Sequence, residues 1–148
     1  MKLKATQRPN FRVVQRQLHA ALTGKILAAF YSVYQQLGGG FVEPVYVDAL
    51  ATELTRLGLK VRCQAPITIR RRYRPVHLFR ADLLVNDVVL IEIRARAVIA
   101  PAHEARLLAC LRATTVEVGL LLNFGPEPRF RRLVFPNQRT KPVSLLRH

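Results

Sequence analysis

At 148 residues, half of them apolar, the chain is long enough for one domain with a real core, and its patterned hydrophobicity excludes disorder except at the ends. With 24 Lys and Arg against nine Asp and Glu, its net charge is +15 and its pI near 11.3, which favours polyanionic partners, nucleic acid before an anionic membrane. The absence of an 18-residue uncharged apolar run and of an apolar core behind the basic "MKLKATQRPNFRVV" argues against a transmembrane helix and a signal peptide, and no CxxC, HExxH or Walker spacing supports zinc or P-loop chemistry.

Residues 1–10 read as a basic arm. From about Phe11 to Leu37, Leu18, Leu22, Ile26, Phe30, Val33 and Leu37 recur at helical spacing, with Thr23 a candidate cap for a fresh start. The glycines at 38–40 end that helix. A second helix is expected from about Glu43 to Leu57, with Pro44 in its first turn and Gly58 as its stop. Its inner face would carry Val42, Val45, Tyr46, Ala49, Leu50, Leu54 and Leu57. Strands at about 60–72, 76–85 and 88–96 follow, the last two joined at the turn residues Asn86 and Asp87. Residues 101–114 read as a helix, 116–124 as a strand buried on both faces, and 129–135 as an edge strand that could pair in a homodimer. The Pro- and Arg-rich stretch 136–148 reads as a tail. This order gives an α/β fold over 1–148, a mixed sheet flanked by helices. Cys63 and Cys110 read as reduced core residues of a cytoplasmic protein.

Two of the few carboxylates stand inside apolar strands, Asp82 in "RADLLV" and Glu92 between Ile91 and Ile93. An ionised carboxylate buried alone is prohibitive, so each needs an ion pair, a proton or a metal. Ion pairing with Arg94 or Arg80 is one reading. The other makes both acids hard oxygen ligands for Mg²⁺ or Mn²⁺. Register tests the second reading. A two-residue turn at 86–87 would set position 82 opposite 91 and point Glu92 away from Asp82. A loop of odd length or a bulge would bring the two carboxylates to one face.

Asp82 followed by Glu92-Ile93-Arg94 resembles the D…(D/E)-x-K core of the PD-(D/E)XK nuclease superfamily. The "LGGGFVEPVY" stretch, with Gly40, Glu43 and Tyr46, is similar to the signature of the bacterial GxxExxY proteins of that superfamily, as are "HEARLLACLRAT" and "VGLLLNFG". The resemblance spans roughly 20–135. It implies an αβββαβ restriction-endonuclease-like core, with Asp82, Glu92 and the carbonyl of Ile93 as ligands for Mg²⁺ or Mn²⁺. Glu43 would be a further acid near the site, or simply a helix-start charge favoured by the dipole. Tyr46 is expected to pack.

The chain departs from that pattern at Arg94, where the family has Lys. An arginine stabilises charge but does not act as a base. Arg106 and Cys110 stand where relatives show Gln and Tyr, roughly on one helical face with His103. Arg106 would grip a phosphate or neutralise Glu92. Two functions of different class follow. One is a metal-dependent phosphodiesterase on DNA or RNA using Asp82, Glu92, Arg94 and Glu43. The other is a catalytically degenerate nuclease fold that binds nucleic acid or assembles, its acids consumed by arginines. Both place nucleic acid on Arg70, Arg71, Arg72, Arg96 and Arg106.

Overall fold

The computed structural model describes residues 18–72 and 74–137, without the side chains of Arg70, Arg71 and His77. The expected arm at 1–10, the start of the first helix before Leu18 and all of the tail beyond Asn137 lie outside the described residues. The elements follow the expected order: α1 (Ala20–Leu37), α2 (Glu43–Arg56), β1 (Val61–Arg71), β2 (Arg74–Val85), β3 (Val89–Arg94), α3 (Pro101–Arg112), β4 (Val118–Phe124) and β5 (Pro128–Val134). The five strands form one sheet in the order β1-β2-β3-β4-β5. All neighbours are antiparallel except β3 and β4, which the α3 crossover makes parallel. Among the described residues no helix is long and apolar enough to cross a membrane.

Each face of the sheet has its own core. Ile26, Phe30 and Val33 of α1 and Tyr46, Leu50 and Leu54 of α2 cover Leu83, Ile91, Ile93, Leu120 and Leu122 on one side. Leu107 and Cys110 of α3 cover Leu84, Leu90 and Leu121 on the other. Gly119 brings α3 close, since a Cβ there would stand 2.9 Å from Leu107. The continuous apolar run of β4 is buried throughout, as expected of a strand covered on both faces. Cys110 is a core residue, whereas Cys63 is exposed.

Two local expectations need correction. Thr23 lies inside α1 and caps nothing; its hydroxyl donates to Ala20 O at 3.1 Å within the first turn. Of the inner face expected for α2, Val45 and the flanking Val42 and Leu57 are exposed and Val47 is buried instead, so the buried stripe is narrower than the apolar positions suggested.

The β2–β3 connection decides the site. Asn86 and Asp87 adopt left-handed backbone, φ 51° and 59°, and Val88 occupies a third turn position. The loop is therefore odd. Val85 pairs with Val89, Leu84 with Leu90 and Leu83 with Ile91. The next step of that register sets Asp82 opposite Glu92, on the α3 face shared by Leu84 and Leu90.

Beyond Leu83 the β2–β3 ladder stops, while β1 and β2 stay paired as far as Arg71 and Arg74. This two-stranded ribbon turns over as it leaves the sheet. Leu83 belongs to the α1/α2 core, yet Ala81 and Phe79, of the same parity, belong to the α3 core. The turnover falls at Gln64, a non-glycine residue at φ 50°, and at Asp82 across from it, the position that the β1–β2 pairing skips between Cys63–Leu83 and Ala65–Ala81.

Candidate functional site

Asp82 and Glu92 stand where the ladder ends, and their carboxylates take over from its backbone acceptors. Ile93 N–H donates to Asp82 Oδ2 at 2.8 Å, and Asp82 N–H donates to Glu92 Oε1 at 3.4 Å. The Gln64 amide Nε2 reaches Asp82 Oδ1 at 3.4 Å from the neighbouring strand. Glu92 is the more buried acid, its side chain 7% exposed against 20% for Asp82.

Arg94 closes the group. Its Nη1 donates to Ile93 O at 2.8 Å and lies 3.4 Å from Glu92 Oε2 and 3.6 Å from Asp82 Oδ2. One nitrogen thus meets all three oxygens assigned to a metal from sequence. Arg80, the other arginine considered for these acids, approaches Gln64 O at 3.5 Å instead.

The Glu92 carboxyl is pushed up to about 7. Burial is the main cause, the Asp82 charge adds to it, and Arg94 opposes it. Burial thus favours the neutral form of this acid, and a cation beside it favours the ionised one. Oxygen ligands without nitrogen or sulfur suit Mg²⁺ or Mn²⁺, which keep waters in their shell. Two converging carboxylates and one carbonyl fit such an ion in kind; its place is held by a guanidinium.

Glu43 does not join the pair. As the first residue of α2 it aims its carboxylate just past β3, taking the Ala95 N–H at 3.4 Å and meeting Arg96 Nε at 3.7 Å. The segment it meets is anchored from β4. Buried Asn123 accepts the Arg96 N–H at 2.9 Å and donates to Arg96 O at 2.9 Å. Strand alternation therefore ends at Arg94, and Arg96 leaves the acid face to stand exposed beside Glu43. Tyr46 packs as expected: it stacks on Phe124 at 4.2 Å, and its hydroxyl donates to Gly38 O at 2.6 Å and accepts the Phe41 N–H at 3.2 Å. Tyr46 thus fixes the loop between α1 and α2.

Arg106 is exposed on α3, its guanidinium 5.0 Å from the Phe79 ring centroid, and its charge reaches Glu92. His103, in the first turn of α3, is held below the usual imidazole range by desolvation and by the charges of Arg94 and Arg96. Arg70 and Arg71 end β1 and Arg72 lies in the turn after it, at the far end of the ribbon. At ~3.3 Å per residue that end is roughly 26 Å along β2 from Asp82. The sequence-predicted cations therefore form two groups, Arg94, Arg96 and Arg106, whose charges all act on His103, and the ribbon tip far from the acids. Gln64 and Asn123 escaped sequence reading. Asn123 interrupts an apolar strand, which is the one signal it offers; Gln64 offers none.

A mixed sheet with helices on both faces and two carboxylates converging where its central strands part defines a restriction-endonuclease-like α/β protein. The sequence model of the PD-(D/E)XK nuclease superfamily matches residues 20–133, and the chain belongs to that superfamily. No curated protein gives a significant match. Among solved structures, SSO0001 is similar at 15% identity and a TM-score of 0.49, over 84% of this chain and 63% of that one. An alkaline exonuclease (LHK-Exo) from Laribacter hongkongensis is similar at 12% identity and a TM-score of 0.44, over 91% of this chain and 77% of that one. The chain thus spans less than two thirds of the length of SSO0001.

Proposed function

We propose that this chain is a nuclease-like nucleic-acid-binding protein, one domain over 1–148 of the GxxExxY type, that hydrolyses phosphodiesters of DNA or RNA with Mg²⁺ or Mn²⁺. The observation that carries it is the convergence of Asp82, Glu92 and Ile93 O on the single point occupied by Arg94 Nη1. Those three groups would hold the ion. When bound, it would supply neutralisation of phosphate charge and activation of water for attack at phosphorus. Arg94, Arg96 and Arg106 would bind the phosphate and stabilise charge developing on it. The backbone contacts they make favour no base sequence.

The test is a paired measurement on single-stranded DNA, duplex DNA and RNA, with binding followed in chelator and cleavage in Mn²⁺. Cleavage by the wild type that Asp82→Asn and Glu92→Gln each lower by about a hundredfold or more, an effect the size of losing an oxyanion donor, supports the reading. Salt-sensitive binding without cleavage supports the second reading, a degenerate nuclease fold that binds nucleic acid. The observation favouring that one is the same guanidinium, which already forms an ion pair with each acid. A homodimer paired through β5 would place Arg129 and Arg131, both exposed, along its seam.

A further inference from the structure

We propose that Arg94 is a removable internal cation: its guanidinium holds the place of the divalent ion, and nucleic-acid phosphate draws it away, so that metal and polyanion bind cooperatively through one side-chain movement. This rests on the metal-dependent reading above and names how that site is regulated.

The contacts of Arg94 exclude joint occupancy. Nη1 stands 2.8 to 3.6 Å from Ile93 O, Glu92 Oε2 and Asp82 Oδ2. A Mg²⁺ ion bonded to the same oxygens at about 2.1 Å would overlap that nitrogen. Charge excludes it as well. Two carboxylates and one guanidinium sum to one negative charge at most, too little to hold a double positive beside a retained positive. A lysine can give way by losing its proton, but an arginine does not deprotonate. Arg94 must therefore move for the metal to enter.

Its exit is unfavourable without an anion. The Arg94 side chain is 12% exposed, so it gives up an enclosed ion pair when it leaves. Arg96 stands beside Glu43 and Arg106 over the Phe79 ring, and the charges of both act with that of Arg94 on His103. A third guanidinium joining them meets repulsion. A phosphodiester placed among them reverses that sign and offers the fork a bidentate partner. The movement that satisfies the phosphate frees three oxygens for the ion. By linkage the metal then raises polyanion affinity by the same factor that the polyanion raises metal affinity.

The experiment titrates Mn²⁺ into the full chain, following free Mn²⁺ by electron paramagnetic resonance, with and without an uncleavable phosphorothioate oligonucleotide. It uses wild type, Arg94→Met and Arg94→Lys, each checked for folding by circular dichroism. Without oligonucleotide, Arg94→Met should bind Mn²⁺ tighter than wild type by on the order of tenfold, within the usual range of site coupling. Arg94→Lys should fall between them, and it carries the test if the methionine variant does not fold. The oligonucleotide should tighten Mn²⁺ binding to wild type by a similar factor and do much less for Arg94→Met. Equal Mn²⁺ affinity of wild type and folded variants overturns the gate while leaving the metal reading intact. Folded variants that take up no Mn²⁺ at all overturn both.

Discussion

Glu92 makes the folded chain sensitive to pH in a way a surface acid would not. In the native state its carboxyl holds a proton up to about pH 7, whereas an unfolded glutamate releases it near the ordinary value of 4.5. Between those limits the native state binds more protons, so the contribution of Glu92 to stability falls as pH rises and levels off above about 7. The total change is roughly 3 kcal/mol by linkage. In metal-free protein, urea unfolding of Glu92→Gln against wild type should show the variant gaining that amount between pH 4.5 and 8. Parallel pH profiles would refute it. The burial of Glu92 was legible from its position between two isoleucines. The direction of Arg94 was not, because alternation assigns a long side chain to a face and leaves its rotamer open. Gln64 was invisible for a related reason: no local rule announces a glutamine in left-handed backbone within a strand.

Elements were largely legible and their joints were not. Apolar periodicity located three helices and five strands, because each buries a stripe or face whose period its sequence must keep. Asn86 and Asp87 announced a turn, but Val88 reads as strand, and one residue of loop length decides whether Glu92 meets Asp82 or turns from it. The strand expected as far as residue 96 ends at Arg94, because Asn123 pins the backbone of Arg96 and stops it first. Asn123→Ala strips both hydrogen bonds from Arg96, which should cost about 2 kcal/mol and release the 95–97 segment. Gly125 enforces the same joint, since a Cβ there would stand 2.4 Å from Arg96 O. Gly125→Ala should therefore mimic Asn123→Ala. Denaturation and amide hydrogen exchange at 95–97 check both, and stability within about 0.5 kcal/mol of wild type, the range of ordinary surface changes, would remove Asn123 from this role.

Across the whole molecule, charge and acid site are separable, and the ribbon is where to separate them. The net charge of +15 exceeds what Arg94, Arg96 and Arg106 account for, and the ribbon carries Arg70, Arg71, Arg72 and Arg74 at its free end. A two-stranded ribbon is narrow enough to enter the major groove of a duplex. Each phosphate neutralised adds about 0.9 to the slope of log affinity against log salt on duplex DNA, and about 0.7 on a single strand. Arg72 and Arg74 are both exposed. Replacing both with Glu should lower duplex affinity at every salt concentration and flatten that slope by about 2. A smaller loss on single strands would identify the ribbon as a duplex contact. Mn²⁺ binding without nucleic acid should not change, because the tip is roughly 26 Å of strand from Asp82. An unchanged slope would move the polyanion contact to Arg96, Arg106 and the basic residues outside the described part of the chain.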